Sequence, residues 1–218
     1  MDRVRVLAEL DRRILETYSR RTTQALRSAL PLRLALPHLE PLLARNVAKE
    51  VRKDELAIRS AGEARAAGRP PGAEVVEALL AQGRAVDGDF LARVGRFPIG
   101  IEVRYDEILP LRRQRIGQLI GAAYRILDAW HAGRGLREAL RECYAQDEFE
   151  SLLAGILRLY ARETRALSRA VRLPALLRPA QDSIGRRLYD IMESQGLRLA
   201  RDAARSAFRP RFSRTATL

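Results

Sequence analysis

Phe149, Leu153, Ile156, Tyr160, Thr164, Leu167 and Val171 recur at alternating three- and four-residue steps. That period places side chains on one side of an α-helix. Arg158, Arg162, Arg165, Arg169 and Arg172 recur at the same steps on the opposite side. The segment 147–172 therefore predicts a helix with an apolar stripe and a row of guanidinium groups behind it. Asp147 stands where a capping residue would, and Glu150, three residues on, suits a capping box. Glu148 lies in the first turn, where the helix dipole favours an anion, and Pro174 closes the segment.

The same reading extends along the chain. Val4, Leu7, Ile14, Tyr18, Ala25 and Ala29 mark a first helix over 2–29. The prolines at 31, 37 and 41 predict a turn through PLRLALPHLEP, with a second helix beginning at Pro41 and carrying Leu43, Val47 and Val51. Leu56 and Ile58 drift around that helix before GRPPG at 68–72, the clearest break in the chain. A third helix is expected from 73 to about 83, resuming through Phe90, Leu91 and Val94. FPIGIEV, 97–103, has strand-like alternation but no partner strand, and reads as an extended crossover. Asp106 caps a fourth helix striped by Ile116, Ile120, Ala123, Leu127 and Trp130. Its Gly117 and Gly121 suggest a close helix crossing. A short acidic helix with Leu136, Ala139, Leu140 and Cys143 leads into the arginine helix. A final helix runs from about Pro179 to Phe208, with Leu188, Met192, Leu199, Ala203 and Ala207 inward. Residues 209–218 read as a basic tail.

The expectation is an all-α fold, a single compact bundle of about six or seven helices without a sheet. GRPPG could subdivide it into a hairpin over 1–67 and a bundle over 73–208. At 218 residues with 47% hydrophobic and 31% charged side chains, the chain can build a core without disulfides or metals. It has one cysteine, and no apolar run approaches the roughly 18 residues that span a bilayer. The opening MDRVRVLAEL lacks the apolar segment of a signal peptide. A cytoplasmic protein of bacterial type is the expectation.

Charge changes the picture most. The formal net charge is +13, and all 40 basic residues are Arg except Lys49 and Lys53. Arg-richness alone is what a GC-rich genome would give and proves little, but the excess is uneven. From Ser151 onward 14 Arg face only Glu163, Asp182, Asp190, Glu193 and Asp202. The α-helical rise spaces the Arg158–Arg172 row by roughly 4.5–6 Å, a step that can follow a phosphodiester backbone. Arg187, Arg198, Arg201 and Arg205 form a second row on the last helix. These nine are the expected polyanion-binding residues, with nucleic-acid backbone the first candidate partner and an acidic protein the second. The alternative is that the rows are solvated or paired with Glu138, Glu142, Asp147, Glu148 and Glu150, in a scaffold or regulatory subunit.

Enzyme signals are sparse. His38 and His131 are the only histidines, which excludes a multi-histidine metal centre, and both read as structural. Cys143 has no neighbouring base and reads as a buried thiol. The adjacent pairs Asp54/Glu55 and Asp106/Glu107 read as solvated faces or caps. No catalytic residue, metal ligand or cofactor is assigned, and no base-reading module is visible, so any nucleic-acid contact would be to backbone. Residues 7–22, LAELDRRILETYSRRT, resemble the opening helix of the all-helical chorismate mutases, which hold a dicarboxylate with Arg. The proline-rich connector departs from that family's lysine-bearing second helix, and no residue is carried across. An enzyme acting on a small anionic metabolite stands third, and the chain leaves an oligomer open.

Overall fold

The structure, a computed structural model, describes residues 2–29, 32–94, 105–130, 134–169, 175 and 178–209. Among them are seven helices and no strand: α1 (Arg3–Ser28), α2 (Leu32–Ala66), α3 (Ala73–Val94), α4 (Tyr105–Ala129), α5 (Leu136–Cys143), α6 (Gln146–Arg169) and α7 (Arg178–Phe208). Helix α1 packs on α2, α2 on α4, α4 on α6, α6 on α7, and α7 returns to α1. Five long helices thus close a ring, α3 lies against α2 and α4, and α5 bridges α4 and α7. Helices before and after the 68–72 turn pack together, α2 on α4 and α1 on α7. None of the helices is long and apolar enough to cross a membrane, among the described residues.

Several local expectations are corrected. Helix α2 begins at Leu32, so Pro37 and Pro41 lie inside it rather than in a turn. Each removes a backbone donor and crowds the preceding turn. Burial of Leu43 and Val47 farther along the helix outweighs that local preference. Helix α3 runs unbroken through Gly83 and Gly88. Helix α6 starts one residue early: Glu148 Oε2 accepts from the Ala145 backbone N–H at 3.0 Å, so the reach-back belongs to Glu148 and not Glu150. Gly117 and Gly121 face open space and make no close crossing. Close approaches occur instead at Gly62 of α2, where an added Cβ would run into the Val4 side chain of α1, and at Gly196 of α7, where it would stand 3.3 Å from Leu157 Cβ and 3.5 Å from the Tyr18 ring. The 97–103 crossover, Val171, Arg172, His131 and the tail beyond 209 lie outside the described residues.

The stripes largely hold. Ile116, Ile120, Ala123 and Leu127 are buried on α4 with Trp130 just past its end, and Phe149, Leu153, Ile156, Tyr160 and Thr164 on α6. They feed two apolar clusters. One gathers Leu7, Ile58, Ile120, Leu127 and Phe149; the other gathers Leu15, Tyr18, Leu43, Leu157, Tyr160 and Met192. Along α2, Leu43 and Val47 belong to the second cluster and Ala57, Ile58 and Ala61 to the first. Between them on α2, the buried positions are charged: Lys49, Glu50, Lys53 and Asp54.

Candidate functional site

Eight charged side chains meet where α2, α3, α4 and α6 converge. They are Lys49, Glu50, Lys53 and Asp54 from α2, Asp87 from α3, Arg112 and Arg115 from α4, and Glu163 from α6, none more than 4% exposed. Helical spacing puts them there. Ile108, Arg112, Arg115, Leu119, Ala122 and Ile126 form one buried stripe on α4, so its two arginines occupy core positions. Glu163 follows Ile156 and Tyr160 on α6 in the same way, and Glu50 and Asp54 continue the line of Leu43 and Val47 on α2.

The pairing is dense. Arg115 Nη1 donates to both Asp54 oxygens at 2.7 and 2.8 Å, and its Nη2 donates to Glu50. Arg112 donates to Glu163 through Nε at 2.8 Å and to Asp87 through Nη1 at 2.6 Å. Lys53 Nζ donates to Glu50 at 2.8 Å and lies 3.1 Å from Asp87. Lys49 Nζ lies 3.2 Å from both Glu50 and Asp87. Asn46 flanks the cluster, donating to the Tyr160 hydroxyl at 3.0 Å and to Thr164 at 3.3 Å. Four cations therefore meet four carboxylates.

Charging inside the protein is costly unless partners compensate. Burial pushes the Glu50 carboxyl up, but Lys53, Lys49, Arg115 and Arg112 outweigh it and hold it well below the ordinary range. Asp87 is also held low, with Lys53, Lys49 and Arg112 outweighing its burial. At the α1-facing end the balance reverses. Burial, with the charges of Glu50 and Glu163, pushes Asp54 up to about 6 despite Arg115. Burial, with Asp54 and Glu55 nearby, also raises Asp11 of α1 well above the carboxylate range. Arg115 is held above its ordinary value because Asp54, Glu50 and Glu163 outweigh its burial. The network is electroneutral, filled by its own partners, and poorer in cations toward α1. It can lock four helices in register, and it holds no surplus cation for an incoming anion.

Reading Asp54/Glu55 as a solvated pair is corrected here: Glu55 is exposed, but Asp54 is completely buried on Arg115. The sequence carried a hint of charges at this place on α2, but not of their partners. The chain's only two lysines stand one helical turn apart with Glu50 and Asp54 between and beside them, in phase with an apolar stripe.

The predicted arginine rows lie elsewhere. Arg158 is part-buried and donates to Glu193 of α7 at 2.8 Å. Arg162 is exposed, with the Tyr189 hydroxyl as its hydrogen-bond partner. The Arg165 guanidinium lies 5.0 Å from the Tyr189 ring centroid, and Arg169 is exposed. Arg172 is outside the described residues. On α7, Arg187, Arg198, Arg201 and Arg205 are exposed, with Arg201 3.5 Å from Glu150. The helices run antiparallel, so the far end of α7 meets the acidic start of α6, while Arg165 and Arg169 meet the first turns of α7. There Arg165, Arg169, Gln181, Asp182, Gly185 and Arg186 line a cleft of about 350 Å³. The structure thus gathers Arg165 and Arg169 with Arg186, which the row pattern omitted, and leaves Arg198, Arg201 and Arg205 at the other end.

No known family, curated protein or solved structure matches the chain.

Proposed function

We propose that the protein is a non-enzymatic binding or assembly protein that holds a phosphate-bearing polyanion, nucleic-acid backbone first, at the α6–α7 hairpin. The observation that carries this reading is the cleft lined by Arg165, Arg169 and Arg186. Guanidinium forks suit phosphate oxygens, and one carboxylate, Asp182, leaves the lining cationic. Exposed Arg162 and Arg187 extend the same surface. Contacts of this kind position a backbone and carry no base sequence.

The test is fluorescence anisotropy with duplex DNA and RNA across a salt series. The protein is compared with a variant carrying Arg162→Gln, Arg169→Gln and Arg186→Gln. Each phosphate that a guanidinium neutralises adds about 0.9 to the slope of log K against log salt on B-DNA, so the triple change lowers the slope by about 2.7. An unchanged slope and affinity would reject these residues, and absence of binding at low salt would reject the reading.

Arg158–Glu193 and Arg201–Glu150 favour a second reading, in which the rows make ordinary ion pairs within a protein–protein scaffold. In that case the triple variant loses affinity for an acidic protein and has no nucleic-acid affinity to lose.

A further inference from the structure

A second cleft, of about 60 Å³, opens between α1, α4 and α6, walled by Leu10, Ile14, Leu119, Ile126, Leu153 and Ile156 among other apolar side chains. One polar residue lines it, Asp11. This carboxyl is half-buried, and no described residue donates a hydrogen bond to it or forms a salt bridge with it. The charged groups that act on it are Asp54 and Glu55 of α2 and Arg115 of α4. Arg115 is already committed to Asp54, Glu50 and Glu163. The α6 wall, Leu152, Leu153 and Ile156, adds no charge. An apolar chamber thus ends on a carboxyl that lacks a cation, beside a network that has none to spare.

We propose that this cleft binds a short aliphatic ammonium, its alkyl chain among the leucines and isoleucines and its nitrogen donating to the Asp11 carboxylate. An apolar pocket with one placed polar group is the usual form of a small-molecule site. A 150 Å³ cavity takes the six carbons of benzene, so this chamber takes about two or three. Binding requires Asp11 ionised, whereas burial and its acidic neighbours hold the empty site's carboxyl protonated well above the ordinary range. Ligand entry therefore releases a proton, and affinity rises with pH until Asp11 is already ionised.

Calorimetry with ethyl-, propyl- and butylammonium, in two buffers of different ionisation enthalpy, tests this. Expected are an affinity gain of about fourfold from ethyl to propyl, a plateau beyond, and proton release on binding. Asp11→Asn should weaken propylammonium at least about tenfold while leaving 1-propanol unchanged. Ala122→Leu, which fills the chamber, should abolish both, with helix content by circular dichroism confirming that each variant folds. The proposal is overturned by propanol binding as well as propylammonium, by Asp11→Asn having no effect, or by no heat from any of the three ammoniums.

Discussion

Arg112 and Arg115 on α4 have no solvent exposure and sit among Glu50, Asp54, Asp87 and Glu163. On the neighbouring α6, Arg162 and Arg169 are exposed at the α6–α7 surface. The residue type is the same and both pairs stand on helices; the surroundings differ. Inside, each guanidinium has given up water and depends wholly on its carboxylates, so the pairing is dense and closed. Outside, water screens each pair, and a guanidinium remains available to a partner that arrives from solution. Arginine at a core position therefore marks assembly of the helices. Arginine at the α6–α7 surface is where an external anion would be met.

The largest effect that would break this contrast is at Arg115. Changing Arg115→Met leaves Glu50, Asp54 and Glu163 without their shared cation, and stability should fall by about 3–5 kcal/mol in urea denaturation. A loss below about 1 kcal/mol would mean that the interior network behaves like a surface one.

Next in size is a pH effect that separates the two ends of the network. Asp54 is raised from the ordinary aspartate value to about 6. The stability it contributes is therefore present below the unfolded-state value and lost as pH rises through about 6. Asp11 has the same sign. Glu50 and Asp87 are lowered, so their contributions are lost only as pH falls below the ordinary carboxylate range. Stability measured by thermal unfolding should peak near pH 4 and fall by about 2 kcal/mol by pH 7 from Asp54 alone. Asp54→Asn should flatten that fall; a profile still rising at pH 7 would contradict the assignment.

The smallest effect is expected at the α6–α7 surface. Arg158 and Glu193 are 42% and 30% exposed. Arg158→Gln should therefore cost less than about 1 kcal/mol, and less still in high salt. A loss comparable to that of Arg115→Met would erase the distinction between the two regions.

Much of the fold was legible because helical periodicity is local. The α4 and α6 stripes, the turn at 68–72 and the extent of α7 could all be read from residue spacing. The prolines of α2 were misread because their local cost was weighed without the distant core that outweighs it. Asp54, Asp87, Arg112, Arg115 and Glu163 were missed because a charged residue in phase with an apolar stripe reads as an interruption. Only helices that are distant in sequence reveal the compensating partner.

The sequence by itself determined which segments become helices, which face of each is apolar, and that positive charge accumulates after residue 150, since these depend on neighbours three or four positions away. Tertiary structure alone decided which charges go inside. A buried ion is tolerated only when an opposite one reaches it across the bundle: Arg112 meets Glu163 from 51 positions away and Arg115 meets Asp54 from 61. No pattern along a single helix encodes that encounter, because its energy exists only once both side chains have left water together.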